Sequence, residues 1–271
     1  MTDTASKRAR FRALHQSGCF VIPNPWDIGS ARLLQHMGFE ALASTSSGHA
    51  WTRGRADYAV TRDETLAHLA ALSAAVDLPV NADFEFGFAV EPADVAANVK
   101  LAVATGIAGL SIEDTKPDGG LHDLPFAVER IRAARAAIDA TGEDVLLVAR
   151  AEVMLTDSDA IKSAIDKLVA FAGAGADCLY APGARRKEDI TAIVRAVAPK
   201  PVNVLMWGPD YTVAELADLG VRRISIGGSL ARVAWGAVLA AAEKMRAGSF
   251  EGLAGAASGK TMNGMFSRFE D

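Results

Sequence analysis

The chain has 271 residues, a formal net charge of −5, and a composition that is 50% hydrophobic. This length and apolar content suit one domain with a sizeable core. The acidic balance disfavours a nucleic-acid-binding surface, which needs clustered Lys and Arg, and no apolar run approaches the ~18 residues of a membrane helix. Two cysteines and a polar N-terminal stretch predict neither a disulfide framework nor a signal peptide. We therefore expect a cytoplasmic protein with neither nucleic acid nor membrane as a partner.

Eight short apolar runs alternate along the chain with longer amphipathic segments. Continuous apolar runs of this length are typical of strands that are buried on both faces in a parallel sheet. The predicted strands are 19–22, 41–45, 79–83, 109–112, 145–149, 177–180, 201–205 and 222–226. Eight strand–helix units in this length predict an α/β protein with a closed (β/α)8 TIM barrel, over 1–271 as a single domain. Gly-x-Gly-x-x-Gly follows no strand, which disfavours an open doubly wound dinucleotide-binding sheet.

The segments between the strands carry helix signals. Thr61 and Glu64 form a capping-box pattern. Asp157 or Ser158 is predicted to cap the next long helix, which Gly175 ends. Further helices are predicted at 11–16, 124–138 and 230–245, and the histidines at positions 15, 36 and 68 are expected at helix surfaces.

Acidic side chains accumulate where the third and fourth strands end. Side chains alternate along a strand, so Asn81, Asp83 and Glu85 are predicted to share one face. Asp83, Glu85 and Glu113 outnumber the neighbouring cation, Arg150. A hard divalent cation with oxygen ligands balances such an excess, and the lack of a His/Cys set favours Mg2+ or Mn2+ over zinc. The alternative is that these acids make structural hydrogen bonds at the barrel rim.

Two further strand ends suit an anionic ligand. Arg150 directly follows the fifth strand, where a guanidinium can hold a substrate carboxylate through two hydrogen bonds, or alternatively neutralise Glu152. Thr45, Ser46 and Ser47 follow the second strand and offer hydroxyl and backbone N–H groups to an anion. In a TIM barrel these strand ends meet at one face, so the sequence predicts one shared site.

An ordered set of short motifs spans nearly the whole chain. It consists of Asn24-Pro25-Trp26-Asp27, Thr45-Ser46-Ser47-Gly48, Gly54-Arg55-Ala56-Asp57, Asn81-Ala82-Asp83-Phe84-Glu85, Ser111-Ile112-Glu113-Asp114, Val148-Ala149-Arg150 and Ser225-Ile226-Gly227-Gly228. In this set the chain resembles the isocitrate lyase/phosphoenolpyruvate mutase superfamily. The resemblance implies Mg2+, a small 2-oxo or 2-hydroxy carboxylate substrate, and a homo-oligomer, dimer or tetramer. It also implies that the eighth helix is swapped between protomers, so that the helices from about residue 229 pack on a neighbour.

The resemblance further assigns roles to single residues. It implies that Asp83, Glu85 and Glu113 hold the metal, partly through water, and that Asp57 lies beside the metal and the substrate. It also implies that Thr45, Ser46, Ser47 and Arg150 bind the substrate carboxylate, and that Asn203 completes the pocket wall.

The loop after the fourth strand departs from the superfamily pattern. The isocitrate and methylisocitrate lyases carry a Lys-x-Cys-Gly-His motif there, and loop 115–123 has no cysteine. Cleavage of those two substrates through that cysteine is therefore not expected. Lys116 and His122, on either side of a glycine pair, are candidate catalytic proton donors on a gating loop, and His49 is a third candidate. The sixth strand ends in Tyr180-Ala181-Pro182-Gly183, without the Glu or His found there in characterised members.

These patterns predict an Mg-dependent carbon–carbon lyase that acts on a small 2-oxo or 2-hydroxy carboxylic acid through a metal-stabilised enolate. Two alternatives remain open at this point. One is phosphonopyruvate hydrolase or phosphoenolpyruvate mutase chemistry on the same metal site, although the loop lacks the Lys and Asn pattern expected for it. The other is a barrel that binds a 2-oxo acid without turning it over.

Overall fold

A computed structural model describes residues 2–269, so the ends of the predicted domain 1–271 lie outside the described residues. Eight parallel strands form one sheet in the order β1-β8-β7-β6-β5-β4-β3-β2. The strands are β1 (Phe20–Ile22), β2 (Leu42–Ala43), β3 (Val80–Asp83), β4 (Gly109–Glu113), β5 (Leu146–Arg150), β6 (Cys178–Tyr180), β7 (Val202–Leu205) and β8 (Arg223–Ser225). Across the seam between β1 and β2, the Ala43 N–H donates to the Pro23 carbonyl over 3.0 Å. The predicted (β/α)8 barrel is confirmed, and each strand lies where an apolar run predicted it.

Helices connect successive strands and surround the sheet. They are α1 (Thr4–Leu14), α2 (Ile28–His36), α3 (Ser46–Thr52), α4 (Arg62–Ala75), α5 (Pro92–Ala104), α6 (Leu124–Asp139), α7 (Val153–Thr156), α8 (Ile161–Gly173), α9 (Lys187–Val197), α10 (Val213–Asp218), α11 (Ser229–Arg246) and α12 (Gly259–Phe266). The Thr61–Glu64 capping box is present at the start of α4. The first helix begins earlier than predicted, because Asp3 caps it by accepting from the Ser6 N–H. The predicted cap of α8 is wrong, since its first turn follows Ala160 and no side chain caps it.

The interior of the barrel contains a polar layer, whereas the exterior of the sheet is apolar. Outward-facing Ala82, Leu110 and Leu147 are fully buried against the helices. Inside, Arg223 donates to the side-chain oxygens of Asn203 over 2.8 Å and Asn81 over 3.2 Å. These three side chains form a hydrogen-bonded layer that we call the polar floor. A cavity opens above this layer, toward the carboxyl ends of the strands.

The C-terminal helices pack sparsely on their own barrel. Of the 18 residues of α11, Ala231 is the one that is buried within the described chain. Val233, Val238 and Leu239 are 68%, 56% and 63% exposed, so these apolar side chains of α11 are not covered within residues 2–269. Helix α12 lies against α2 instead. Among the described residues, no helix has both the length and the hydrophobicity needed to cross a bilayer.

Candidate active site

A cavity of about 310 Å³ opens at the carboxyl ends of the strands, above the polar floor. Seven of the residues predicted from the sequence line it: Thr45, Ser46, Ser47, Asp57, Asp83, Glu113 and Arg150. The barrel brings them together because β2, β3, β4 and β5 end at the same face. Four other predicted residues, namely Glu85, Lys116, His122 and Asn203, do not line this cavity.

Arg150 is the centre of an ion-pair network at this face. Its Nη1 lies 2.9 Å from an oxygen of Asp83 and 3.0 Å from an oxygen of Glu113, and its Nε lies 2.8 Å from Glu152. The guanidinium also stacks on the ring of Tyr180, 5.1 Å from its centroid. Arg150 therefore neutralises Glu152, as one sequence-based interpretation expects. It also lines the cavity, and its contact with a substrate carboxylate stays a prediction.

The carboxyl groups around Arg150 carry more negative charge than one guanidinium offsets. Burial, followed by the charge of Asp83, raises the pKa of Asp57. The same two causes, in that order, raise the pKa of Glu85 to about 9. Burial also raises the pKa of Glu113. A low-dielectric mouth that holds this many acids favours any ligand that brings positive charge.

Glu85 departs from the predicted strand geometry. Strand β3 ends at Asp83, and Glu85 adopts a left-handed backbone conformation with φ of 47°. The turn is closed by the Gly87 N–H, which donates to the Phe84 carbonyl over 2.8 Å. The strand alternation that would place Glu85 on the same face as Asp83 therefore ends before it reaches Glu85. Its carboxyl group is buried and lines a smaller adjoining cavity, together with His49.

The donor set fits a hard divalent cation. Glu85 Oε2 is buried without a hydrogen-bond partner, a costly state that a cation would relieve. The neighbouring acids Asp83 and Glu113 supply oxygen atoms, which are the ligands that Mg2+ and Mn2+ prefer. Within residues 2–269 no three acidic, His or Cys side chains already converge as a metal site. The resemblance implies that the metal is held partly through water. Such a site needs fewer direct contacts between protein side chains and the metal.

The hydroxyl cluster after β2 is positioned by the start of α3. Thr45 caps this helix, and its Oγ1 accepts from the Gly48 N–H over 3.3 Å. Its hydroxyl also lies 3.1 Å from that of Ser47. The Ser46 N–H donates to Asp83 over 3.0 Å, which ties this turn to the end of β3. The cluster therefore faces the same cavity as Arg150.

The two predicted proton donors after β4 lie outside the cavity. Thr115 and Leu121 form an antiparallel bridge, and the Lys116 N–H donates to the Gly120 carbonyl over 2.7 Å, so the segment is a short hairpin. His122 is buried at its base with the ring 5.0 Å from that of Phe126. Burial lowers the pKa of His122. In this arrangement neither side chain reaches the cavity.

Asn203 and the histidines also differ from expectation. Asn203 lies in the polar floor and donates to the Ser225 hydroxyl over 2.9 Å, so it supports the cavity wall from behind. The prediction that His15 is at the surface is wrong, because its ring packs between Phe11 and Phe20. His68 is half-buried and stacks on His49, with ring centroids 3.8 Å apart.

Tyr58 is the main cavity residue that sequence patterns missed. Its hydroxyl donates to Glu113 over 2.9 Å, and its φ is 62°. The sequence feature that could have indicated Tyr58 is its position directly after the motif Gly54-Arg55-Ala56-Asp57. Two further aromatic residues, Tyr180 and Trp207, also line the cavity.

Comparison with known proteins supports the resemblance. The sequence profile of the phosphoenolpyruvate phosphomutase family matches residues 11–246. The chain belongs to the isocitrate lyase/phosphoenolpyruvate mutase superfamily. It is therefore an enzyme of the lyase type found there.

Three members show how this chain relates to the rest of the superfamily. A crystal structure from Burkholderia cenocepacia J2315, provisionally named a lyase/mutase, is 46% identical with a TM-score of 0.94, covering 97% of each chain. The uncharacterised Mycobacterium tuberculosis H37Rv protein Rv1998c is 35% identical over 80% of this chain and 81% of its own length. An oxaloacetate decarboxylase from Paraburkholderia xenovorans LB400 is 30% identical over 82% of this chain and 75% of its own. Relatives in the superfamily are thus lyases or mutases of small carboxylic acids.

Proposed function

We propose that this enzyme is an Mg-dependent lyase that breaks a carbon–carbon bond in a small 2-oxo or 2-hydroxy carboxylic acid and leaves an enolate fragment. The observation that carries the proposal is the position of Arg150, which faces a cavity rimmed by acids on one side and hydroxyls on the other. A cavity of about 310 Å³ suits a small acid. The 30% identity to an oxaloacetate decarboxylase supports the same substrate class.

In this proposal Asp83, Glu85 and Glu113 hold Mg2+ or Mn2+. When bound, the cation supplies charge that stabilises the developing enolate. The protein keeps two of these acids in place through contacts already described, since Ser46 holds Asp83 and Arg150 holds both Asp83 and Glu113. Glu85 Oε2 is buried without a hydrogen-bond partner, so a bound cation would stabilise it more than the oxygens that already have partners.

Arg150 and the hydroxyls of Thr45, Ser46 and Ser47 bind and orient the substrate carboxylate. A guanidinium can donate two parallel hydrogen bonds to a carboxylate, which fixes its plane as well as its position. Orientation of this kind supplies a large part of the rate enhancement in reactions with no covalent intermediate. Among the described residues, the cavity lining contains no His or Cys that could form a nucleophilic pair with a hydroxyl group.

Proton transfer falls to Asp57 rather than to the hairpin after β4. Asp57 lines the cavity, and burial, followed by the charge of Asp83, raises its pKa above that of a free aspartate, which suits a group that accepts and returns a proton. In a 2-hydroxy acid, Asp57 would accept the hydroxyl proton, the C–O bond would become a carbonyl as the adjacent carbon–carbon bond breaks, and the electron pair of that bond would pass to the enolate. Lys116 and His122 would need the hairpin to rearrange before they could contribute.

The test is product formation followed by proton NMR. Purified enzyme with Mg2+ is incubated separately with 2-oxo, 2-hydroxy and phosphono acids, the last of which test phosphorus–carbon chemistry. We expect Mg-dependent release of a small 2-oxo product from a 2-oxo or 2-hydroxy acid, and its loss in Asp83→Ala. Asp118→Ala, on the exposed hairpin, is the matched control. Unchanged turnover in Asp83→Ala would overturn the site assignment.

We also propose that α11 packs on a neighbouring copy of the chain, as the exchange of the eighth helix implies. Its exposed Trp235, Val238 and Leu239 lie on one side of the helix and form an apolar face without a partner in the described chain. Contiguous apolar surface of this kind marks protein–protein contacts. In such a homo-oligomer, a dimer or a tetramer, α11 would cover the barrel of the neighbouring protomer rather than its own.

A further inference from the structure

Tyr58 has an unusual backbone for its residue type. It lies on the connection between α3 and α4, lines the cavity, and is one of the non-glycine residues with positive φ, at 62°. Bulky side chains rarely adopt this conformation, because Cβ comes close to the following carbonyl oxygen. Outliers of this kind persist where the surrounding structure holds them, and they concentrate at functional sites.

Burial does not explain this outlier. Phe88 also has positive φ, at 54°, but its ring packs against the core and meets Phe84 edge-on at 5.1 Å. The burial of that ring offsets the backbone cost. Tyr58 is 50% exposed, and its side-chain hydrogen bond runs from its hydroxyl to Glu113 Oε2 at 2.9 Å. The hydrogen bond to Glu113, rather than burial of the ring, is therefore the contact that offsets the backbone cost at Tyr58.

The hydrogen bond completes the support of Glu113. The other oxygen of this carboxylate, Oε1, lies 3.0 Å from Arg150 Nη1, so each oxygen is held from a different direction. Glu113 is 2% exposed, which leaves water little access as a replacement donor. We propose that Tyr58 is a positioning residue whose hydroxyl fixes the Glu113 carboxylate in the orientation that receives the divalent cation. This inference rests on the proposed function, which places the cation beside Glu113.

The inference is tested by metal binding, independently of turnover. Tyr58→Phe keeps the ring and the backbone restriction and removes only the hydroxyl. Tyr211→Phe is the matched control, because its hydroxyl donates to the Arg185 carbonyl over 3.0 Å outside the cavity lining. Mn2+ is titrated into each protein and the free ion is followed by electron paramagnetic resonance. We expect the Kd for Mn2+ to rise about tenfold in Tyr58→Phe, in the range typical for partners of metal ligands, and to stay unchanged in Tyr211→Phe.

A second variant separates metal binding from folding. Tyr58→Gly relieves the backbone conformation, since glycine adopts positive φ without a clash. It should melt no lower than the wild-type protein, yet bind Mn2+ as weakly as Tyr58→Phe. Saturating Mg2+ should restore most of kcat in Tyr58→Phe, a response that a merely structural role would not produce.

The outcomes distinguish this inference from the proposal beneath it. Equal Mn2+ affinity in wild-type protein and Tyr58→Phe would overturn the role of Tyr58 and leave the metal site standing. Absence of Mn2+ binding in the wild-type protein would overturn the proposed function and this inference together.

Discussion

Arg150 and Asp83 connect β5 to β3 across the intervening strand, through a 2.9 Å contact between Nη1 and Oδ1. The contact spans β4 because both side chains point into the barrel from the ends of their strands. On the way it passes Glu113, whose Cα is in register with that of Arg150. One guanidinium therefore organises acids from three consecutive strands.

Replacement of Arg150 should affect stability and catalysis differently. Arg150→Gln leaves Asp83, Glu113 and Glu152 without their buried cation, which should lower the free energy of unfolding by about 3–5 kcal/mol. Arg150→Lys keeps the charge and should lose less. Both variants should lose about 100-fold in kcat/KM, because lysine cannot reproduce two parallel hydrogen bonds. Urea unfolding and NMR product assays measure the two effects, with the exposed Arg185→Lys as control. Wild-type kcat/KM in Arg150→Lys would contradict the substrate role.

Glu85→Gln should stabilise the metal-free protein at alkaline pH. Burial, followed by the charge of Asp83, raises the pKa of Glu85 to about 9. The contribution of Glu85 to the free energy of unfolding is therefore fully present below the unfolded pKa of 4.5 and is lost as pH rises toward 9. Glutamine cannot ionise, so the variant should be more stable at pH 8 by about 1–3 kcal/mol and should bind Mn2+ more weakly. Urea unfolding at pH 6 and pH 8 with a chelator measures this, with the exposed Glu129→Gln as control. An identical pH dependence in wild type and Glu85→Gln would rule out the buried, ionisable state of this group.

The His49–His68 stack should make the fold acid-sensitive. Burial, followed by the charge of His49, lowers the pKa of His68 to about 3. The contribution of neutral His68 to the free energy of unfolding is fully present above the unfolded pKa of 6.5 and is lost as pH falls from 6.5 toward 3. The free energy of unfolding should therefore fall by up to about 1.4 kcal/mol per pH unit in that window for each such group. His68→Gln should flatten this slope, and an unaltered slope would show that His68 is not the group responsible.

A charge on α11 should weaken self-association. Leu239→Glu places a carboxylate on the exposed apolar face, where an interface would have to desolvate it. Sedimentation velocity should show a smaller species than the wild-type protein. Val169→Glu is the control, because Val169 is exposed to a similar degree on α8. The same sedimentation coefficient for Leu239→Glu and wild type would exclude α11 from the interface.

The strand ends explain why much of the site could be predicted from sequence. Buried parallel strands are short apolar runs, and in a barrel their carboxyl ends converge. Asp83, Glu113 and Arg150 each end such a run, so their meeting followed from the fold alone. The hydroxyls of Thr45 and Ser47 followed for the same reason.

Residues beyond the last strand position could not be predicted in this way. Glu85 adopts positive φ, which its residue type does not indicate, and the turn moves its carboxyl group into a different cavity. His122 lies on a hairpin whose side-chain directions depend on tertiary contacts, here with Phe126. Tyr58 contacts Glu113 across 55 positions of sequence, and no local pattern records such a contact.

The polar floor has an electrostatic consequence for whatever enters from above. Arg223 is 2% exposed, and within the described chain its hydrogen bonds go to neutral asparagine oxygens rather than to a carboxylate. Burial lowers its pKa from 12.5, yet it remains a cation at physiological pH. Arg223 therefore places a fixed positive charge on the barrel axis, below the mouth. This charge offsets the repulsion that the acids at the mouth would exert on an anion. A ligand whose negative charge grows at its inner end during reaction would gain most from that field.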